Sequence, residues 1–139
     1  MSSMIATAGA LAGELESCLA RWSERTGVTV ETWALPAAGV PSRVSSGVLA
    51  VLGEALSNVE RHSGARSVSV AVTVGGRGLR ITVSDNGSGF ADGREGRGIA
   101  GMRAALAALG GDLSVNGVPG EGTTVSGWCP TGKLDFTGN

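Results

Sequence analysis

Hydrophobic residues recur at helical spacing near the start of the chain and at alternate positions soon after. The first segment predicts an amphipathic helix, because charged residues fill the side opposite the hydrophobic ones. This helix is predicted to end near Thr26-Gly27. Its apolar positions are Leu11, Leu15, Cys18, Leu19 and Trp22. Strand alternation follows around Val28–Trp33. A longer helix is predicted from about Ser42 to His62, because Ser63-Gly64 is a suitable helix end.

The second half of the chain predicts four strands around one further helix. Ser67–Val74 and Leu79–Ser84 alternate strictly and are joined by a glycine-rich turn, which predicts a hairpin. The next helix is predicted from about Ile99 to Leu109, where two glycines stop it. Two strands then close the domain, Asp112–Val115 and Thr123–Trp128. Helices and strands that follow one another in this way predict an α/β domain.

The composition is that of one globular domain and excludes several classes of protein. The chain has 139 residues, 42% of them hydrophobic and 17% charged, which is enough for one core. A net charge of -1 gives no basic surface for nucleic acid or membrane. No apolar run approaches the roughly 20 residues that span a bilayer, and residues 1–14 lack the basic start of a secretory signal. Cys18 and Cys129 have neither metal nor disulfide spacing, which predicts free thiols in a reducing cytoplasm.

A lone carboxylate, Asp85, closes the strand Leu79–Ser84 and is followed by Gly87 and Gly89. A carboxylate here can accept a hydrogen bond from the exocyclic amine of a base, and the glycines let the backbone pass close to a flat ring. The run Asp-Asn-Gly-Ser-Gly is equally typical of an ordinary turn. The interpretation as a nucleotide pocket therefore depends on the helix before this segment and on the glycine cluster after it.

Three polar residues, Glu54, Asn58 and His62, stand four positions apart on the predicted central helix and so share one face. The other faces of that helix are mostly apolar, so half-buried polar groups among them need partners. A hydrated magnesium ion would satisfy them, with the Asn58 oxygen as a direct ligand and Glu54 accepting from a metal-bound water. Taken alone, this helix is explained at least as well by a solvated polar stripe.

A second glycine cluster, Gly96-x-Gly98-x-x-Gly101, opens the third predicted helix. Its spacing matches the dinucleotide-binding fingerprint. That fingerprint directly follows a strand and is accompanied by an acidic residue at the end of a later strand, and neither condition holds here. What remains is anion binding, since glycines at a helix start leave free amides and the positive dipole end toward a phosphate. Three arginines would add charge or lie in solvent: Arg94, Arg97 and Arg103.

Taken together, these segments resemble the N, G1, G2 and G3 boxes of the GHKL ATPase superfamily. In chain order they are Glu54–His62, Asp85-x-Gly87-x-Gly89, Gly96-x-Gly98-x-x-Gly101-Met102 and Gly120-x-Gly122-Thr123. No single box is decisive, but four in this order at these distances are specific. Within the superfamily, the sequence is most similar to the catalytic ATP-binding domain of NarL/NarX-type bacterial sensor histidine kinases.

The resemblance implies the Bergerat ATP-binding fold, an α/β (α+β) two-layer sandwich with about three helices on one face of a mixed sheet. It implies ATP and Mg²⁺ as cofactors and Glu54, Asn58 and His62 as catalytic residues. Asn58 would ligate magnesium, and Glu54 would hold a metal-bound water or assist proton transfer. Asp85 would bind the adenine amine. The other residues implied at the nucleotide are Arg61, His62, Gly87, Gly89, Gly96, Arg97, Gly98, Ile99, Gly101, Met102 and Thr123.

A histidine kinase also needs an acceptor histidine on a dimerising helical hairpin, whereas the one histidine here, His62, lies in the N box. The resemblance therefore implies a domain that donates the γ-phosphoryl group to a dimerisation domain outside this chain, with a NarL-type response regulator downstream. We interpret residues 1–26 as a lead helix from the dimerisation region, 27–131 as the ATPase domain and 132–139 as a polar tail left from expression. We expect a cytoplasmic monomer without nucleic-acid or direct membrane contact, whose parent protein is free or membrane-anchored.

Three other functions are considered for the same sequence. A stand-alone serine kinase of the anti-sigma-factor type has the same fold and a similar size, although the Gly101-Met102-Arg103 stretch and the later Leu-Gly-Gly argue against it. A chaperone- or topoisomerase-like ATPase would use Glu54 to activate water and would need further domains. An interaction module that binds no nucleotide would leave the retention of Asn58, Asp85 and the glycines unexplained.

Overall fold

The computed structural model describes residues 10–37, 39–87 and 97–131, which form a layer of helices against a sheet. In chain order the elements are α1 (Ala10–Thr26), β1 (Thr29–Ala34), α2 (Ser42–Asn58), β2 (Ser67–Gly75), β3 (Gly78–Asp85), α3 (Arg97–Ala108), β4 (Asp112–Val118) and β5 (Gly122–Cys129). A π-helical turn, Val59–Ser63, continues α2. No helix in the described ranges combines the length and the hydropathy needed to cross a bilayer.

All five strands join one mixed sheet in the order β1-β2-β3-β5-β4. β1 runs parallel to β2, and the other neighbouring pairs are antiparallel. Parallel neighbours need a long crossover, and α2 supplies it between β1 and β2. The predicted hairpin is formed by β2 and β3, and the mixed sheet with helices confirms the expected α+β architecture.

Burial alternates along the central strands and so separates the two faces of the sheet. In β3, Leu79, Ile81 and Val83 are buried, whereas Arg80 is exposed. Successive side chains of a strand point to opposite faces, so the buried row meets the helices. The opposite face is more open, and there the hydroxyl groups of Ser84 and Thr124 lie 2.8 Å apart. Asp85 follows Val83 by two positions and therefore continues the buried row.

The helices contribute to a single core with this face of the sheet. α2 contributes six buried residues, the largest share of any helix: Val44, Val48, Val51, Leu52, Ala55 and Leu56. α1 adds Leu11, Leu15, Leu19 and Trp22, and α3 adds Ile99, Met102 and Leu106. Because α1 joins the same core, the predicted amphipathic lead helix is packed on the domain rather than standing apart from it.

Three local features differ from the sequence-based expectations. The α-helix predicted to reach His62 ends at Asn58 and widens into the π-helical turn, which ends at Gly64 with φ at +65°. The strand predicted around Trp33 forms, but its pairing with β2 shifts there, so Trp33 is 73% exposed. β4 runs to Val118 rather than Val115.

Truncation of a core residue of α2 tests this packing. Leu52→Ala should lower the free energy of unfolding by about 2–5 kcal/mol, because Leu52 is fully buried and its truncation leaves a cavity. Leu49→Ala, on the same helix but only partly buried, should cost clearly less. Urea unfolding followed by circular dichroism measures both variants. Equal losses would contradict the assignment of the Leu52 side of α2 to the core.

Candidate functional site

Asp85 is a half-buried carboxylate at the end of β3. One of its oxygens, Oδ1, accepts a hydrogen bond from the backbone N–H of Gly87 at 2.7 Å, and the backbone N–H of Thr123 also donates to the carboxylate. Burial raises the pKa of Asp85 above its ordinary value, and the two hydrogen bonds counteract only part of that rise. The side chain is therefore fixed in place yet poorly solvated, which prepares it to accept a further hydrogen bond.

Gly122 allows β5 to lie against the end of β3. Its φ is +108°, and a Cβ atom there would stand 3.2 Å from the Cα of Asn86 and would overlap the carbonyl of Asp85. This close approach puts Thr123 directly opposite Asp85 in the ladder. Asp85, Gly87 and Thr123, which the sequence predicts at one site, are thus together in the structure.

Asn86 also supports this end of β3, although it was absent from the predicted site residues. Its Oδ1 accepts hydrogen bonds from the backbone N–H groups of Arg66 at 3.0 Å and of Ser67 at 3.1 Å. These bonds fasten the start of β2 to the segment that follows Asp85. An Asn after a strand, ahead of a glycine, is typical of side-chain-to-backbone bonding, but its distant partners are not visible in the local sequence.

Glu54 and Asn58 meet the first turn of α3 at Gly98. A Cβ atom on Gly98 would stand 2.7 Å from Oε1 of Glu54 and 2.9 Å from Oδ1 of Asn58. The oxygens of both α2 side chains therefore point at the start of α3, where the first amide groups of a helix are free to bind an anion. Arg61, from the π-helical turn, donates from Nη2 to the same Asn58 Oδ1 at 3.1 Å.

A cleft of about 300 Å³ opens beside this meeting point. Its lining residues are Ala50, Glu54, Arg61, Gly98, Gly101, Met102 and Ala105. Four of the predicted nucleotide residues, Arg61, Gly98, Gly101 and Met102, are among them. Ile99 is 3% exposed and belongs to the hydrophobic core, where it secures α3. The cleft thus combines a carboxylate, a guanidinium and a close-packed helix start.

The carboxylate of Asp85 and the cleft lie at the same end of the sheet. Only residues 64–66 separate the π-helical turn from β2, and Val68 of β2 pairs with Asp85. Residues 88–96 connect Gly87 to α3 and lie outside the described ranges. Gly89 and Gly96 fall in that segment, and the side chains of His62 and Arg97 are likewise outside the description, so their roles remain predictions.

The donor chemistry at Gly98 fits a magnesium ion that is shared with phosphates. In the described part of the chain, no group of three or more His, Cys, Asp or Glu residues could hold a metal alone. Glu54 and Asn58 instead offer a carboxylate and an amide oxygen beside each other, with Arg61 adjacent. Mg²⁺ is commonly held by one or two such protein oxygens, several waters and substrate phosphates. The residues present fit that arrangement.

Comparison with known proteins gives consistent matches. A family model described as histidine kinase-, DNA gyrase B- and HSP90-like ATPase matches residues 44–133. The chain is 32% identical over 130 residues to sensor histidine kinase MctS of Rhizobium johnstonii, covering 86% of this chain and 27% of that protein. It is 32% identical over 96 residues to sensor histidine kinase LiaS of Bacillus subtilis, covering 67% of this chain and 27% of that protein. The chain thus spans only about a quarter of the length of these relatives.

Solved structures of similar fold include the histidine kinase domain of a blue-light activated histidine kinase from Erythrobacter litoralis. The TM-score is 0.77 at 22% sequence identity, with 96% of this chain and 66% of that chain covered. Histidine kinase AdeS of Acinetobacter baumannii has a TM-score of 0.71 at 15% identity, with 95% and 70% covered. At these identities the likeness supports the fold.

The raised pKa of Asp85 predicts a pH-dependent effect of removing its charge. Since the folded pKa lies above that of the unfolded chain, the contribution of Asp85 to stability is full at acidic pH and is lost as the pH rises through the folded pKa. Asp85→Asn keeps an acceptor oxygen for the N–H of Gly87 and removes the half-buried charge, so it should stabilise the domain at pH 7. The gain should stay below about 1 kcal/mol, because the half-exposed carboxylate keeps part of its hydration.

Urea unfolding of the wild type and of Asp85→Asn at pH 7 and pH 3 measures this effect. The difference between the two proteins should shrink at pH 3, where the wild-type carboxyl is largely protonated. Loss of stability in the variant at pH 7 would contradict the burial argument. Asp112→Asn provides the matched control, because Asp112 is exposed at the start of β4 and should show no comparable gain.

Proposed function

The chain belongs to the histidine kinase-, DNA gyrase B- and HSP90-like ATPase family, and we propose that it is the catalytic ATP-binding domain of a bacterial two-component sensor histidine kinase. The observation that carries the proposal is the meeting of Glu54, Asn58 and Arg61 with the glycine start of α3, at the same sheet end as Asp85. The two relatives that share 32% identity, both sensor histidine kinases, support this member of the family over its other branches.

In this proposal, Asp85 accepts a hydrogen bond from adenine. Its backbone donors hold the carboxylate at the end of β3, and partial burial removes competing water. A hydrogen bond from the exocyclic amine of adenine would meet the remaining acceptor capacity of the group. Thr123 lies opposite Asp85 and would fix the same base, directly or through water, and Gly87 and Gly89 would shape the site.

In this proposal, the phosphates of ATP bind in the cleft at Gly98. Asn58 and Glu54 would hold magnesium, Asn58 as a ligand through its amide oxygen, which also accepts from Arg61, and Glu54 through a water. The metal would neutralise charge on the phosphate oxygens. Arg61 adds a positive charge, and the amide groups at the start of α3 cover the phosphates, with Gly96, Arg97, Gly101 and Met102 contributing to that segment. His62 completes the catalytic set with Glu54 and Asn58.

The acceptor in this proposal is a histidine on a dimerisation domain of the parent kinase, and a NarL-type response regulator receives the phosphoryl group afterwards. Phosphoryl transfer depends mainly on positioning and charge neutralisation, so the domain alone is expected to hold Mg-ATP and turn it over very slowly. It would act as a monomer in the cytoplasm until it docks on the dimerisation domain.

Calorimetric titration with a non-hydrolysable ATP analogue tests nucleotide binding. The wild type should bind the analogue, and magnesium should strengthen the binding because it would supply positive charge where Glu54 and Asn58 offer oxygens beside the phosphates. Asp85→Asn should weaken binding at least about tenfold, equivalent to about 1.4 kcal/mol. In the variant, the amide oxygen stays with the N–H of Gly87, and an NH₂ group replaces the other carboxylate oxygen and would face the adenine amine, donor against donor. Binding that is indifferent to both magnesium and this substitution would contradict the proposal.

Gly98→Ala tests the phosphate side separately. The new Cβ would displace the flexible ends of Glu54 and Asn58, so the domain should fold while its affinity for the Mg-analogue complex falls about tenfold. Gly53→Ala, on exposed α2 surface with no atom within 4 Å of the added Cβ, is the matched control. It should keep its affinity and gain up to about 1 kcal/mol of stability from helix propensity. Equal affinities for the two variants would refute the assigned role of Gly98.

A further inference from the structure

Three side chains connect α1 to the π-helical turn, and we call them the α1 clamp: Trp22, Arg25 and Glu60. Arg25 donates to both carboxylate oxygens of Glu60, from Nη1 to Oε2 at 2.7 Å and from Nη2 to Oε1 at 3.2 Å. The indole Nε1 of Trp22 donates to Oε1 at 3.3 Å. One carboxylate thus receives three hydrogen bonds from a helix 35 or more residues away in sequence.

The clamp is defined by its geometry rather than by its contribution to stability. The side chains of Arg25 and Glu60 are 61% and 37% exposed, and solvent-exposed ion pairs add little to stability. Two parallel bonds between a planar guanidinium and a carboxylate nevertheless fix their mutual orientation. Trp22 is 6% exposed and packed in the core, so one donor of the clamp is immobile.

Glu60 lies between two residues of the proposed site. Asn58 precedes it by two positions, and Arg61 follows it directly and donates to Asn58 Oδ1. All three sit where the α-helix gives way to the π-helical turn, a wider turn that is less regular than the α-helix and is frequent at functional sites. The clamp holds this turn from the α1 side, and the bond between Arg61 and Asn58 holds it from the cleft side.

The clamp joins a part of the chain that the family match does not include. That match begins at residue 44, whereas α1 covers Ala10–Thr26. α1 also buries Leu11, Leu15 and Leu19, so it is packed on the core rather than attached as a loose leader. The clamp would therefore transmit a shift of α1 to Glu60, beside Asn58 and Arg61.

We propose that Glu60 is a positioning residue that couples the position of α1 to the geometry of Asn58 and Arg61, and so to nucleotide affinity. The inference rests on the proposed function, because the readout is the binding of nucleotide at that cleft. It assigns α1 the role of a lever through which the preceding segment of a longer protein changes the affinity of the site. No contact between α1 and the nucleotide is needed.

A double-mutant cycle on Arg25→Ala and Glu60→Ala tests the coupling. The measured quantity is the affinity for a magnesium-bound, non-hydrolysable ATP analogue, under conditions in which circular dichroism shows every variant folded. Both single variants should bind about threefold to tenfold more weakly, the size expected when a mutation perturbs coupling between parts of a protein. The double variant should be no weaker than either single one, because each removes the same contact.

Simple charge effects predict a different pattern. Loss of the negative charge of Glu60 would strengthen the binding of an anionic ligand, and loss of the positive charge of Arg25 would weaken it, so the two changes would oppose each other. Arg21→Ala removes a positive charge from the same helix outside the clamp and should leave the affinity unchanged. Glu60→Gln keeps one acceptor oxygen for Trp22 and Arg25 Nη2 but sets an NH₂ group against Arg25 Nη1, so it should recover only part of the affinity lost in Glu60→Ala.

The outcomes separate this inference from the proposed function. Binding by the wild type with equal weakening in both single variants and in the double variant supports the coupling. Binding by the wild type with opposite or absent effects in the single variants overturns the coupling and leaves the proposed function intact. A folded wild type that binds no analogue overturns the proposed function, and the coupling with it.

Discussion

The first turn of α3 can lie against Glu54 and Asn58 only because Gly98 carries no side chain. The rest of the site depends on this contact. It brings the free amide groups of a helix start within reach of a carboxylate and an amide oxygen, which together suit a phosphate and its cation. It also closes one wall of the cleft, since Gly98, Gly101 and Met102 face Ala50 and Glu54 there. A methyl group at position 98 would displace both oxygens.

At Asp85, the partial burial that would favour a hydrogen bond to a ligand also lowers the stability of the domain. The two-residue period of β3 puts Asp85 in the row of Leu79, Ile81 and Val83, where a carboxylate loses part of its hydration. Backbone donors from Gly87 and Thr123 offset only part of that cost. A protein selected for stability alone would carry an uncharged residue there. The poorly solvated charge is therefore best explained by a ligand that completes its hydrogen bonding.

The parts of the fold that the sequence predicts correctly are those determined by local spacing. Alternation in β2 and β3, helical spacing in α1 and the glycine at position 64 are local signals, and the structure contains the corresponding elements. The π-helical turn was not predicted, because residues 59–63 are compatible with an α-helix until tertiary contacts widen it. The pair Arg25–Glu60 and the bonds of Asn86 to the start of β2 join distant segments, so no local pattern shows them. The family resemblance implies that Asp85 and Thr123 share one site, and the strand register places them opposite each other.

The packing of α1 has a consequence for how such domains are inherited. The recurring motif of the family begins at residue 44, but the hydrophobic core begins at Leu11. The segment that the family model matches is therefore shorter than the segment that forms the core. A gene fusion that exchanged everything upstream of the motif would discard four core side chains and one half of the Arg25–Glu60 pair. A fusion boundary that keeps the core intact must therefore lie ahead of α1, so this helix belongs to the domain although the family model leaves it out.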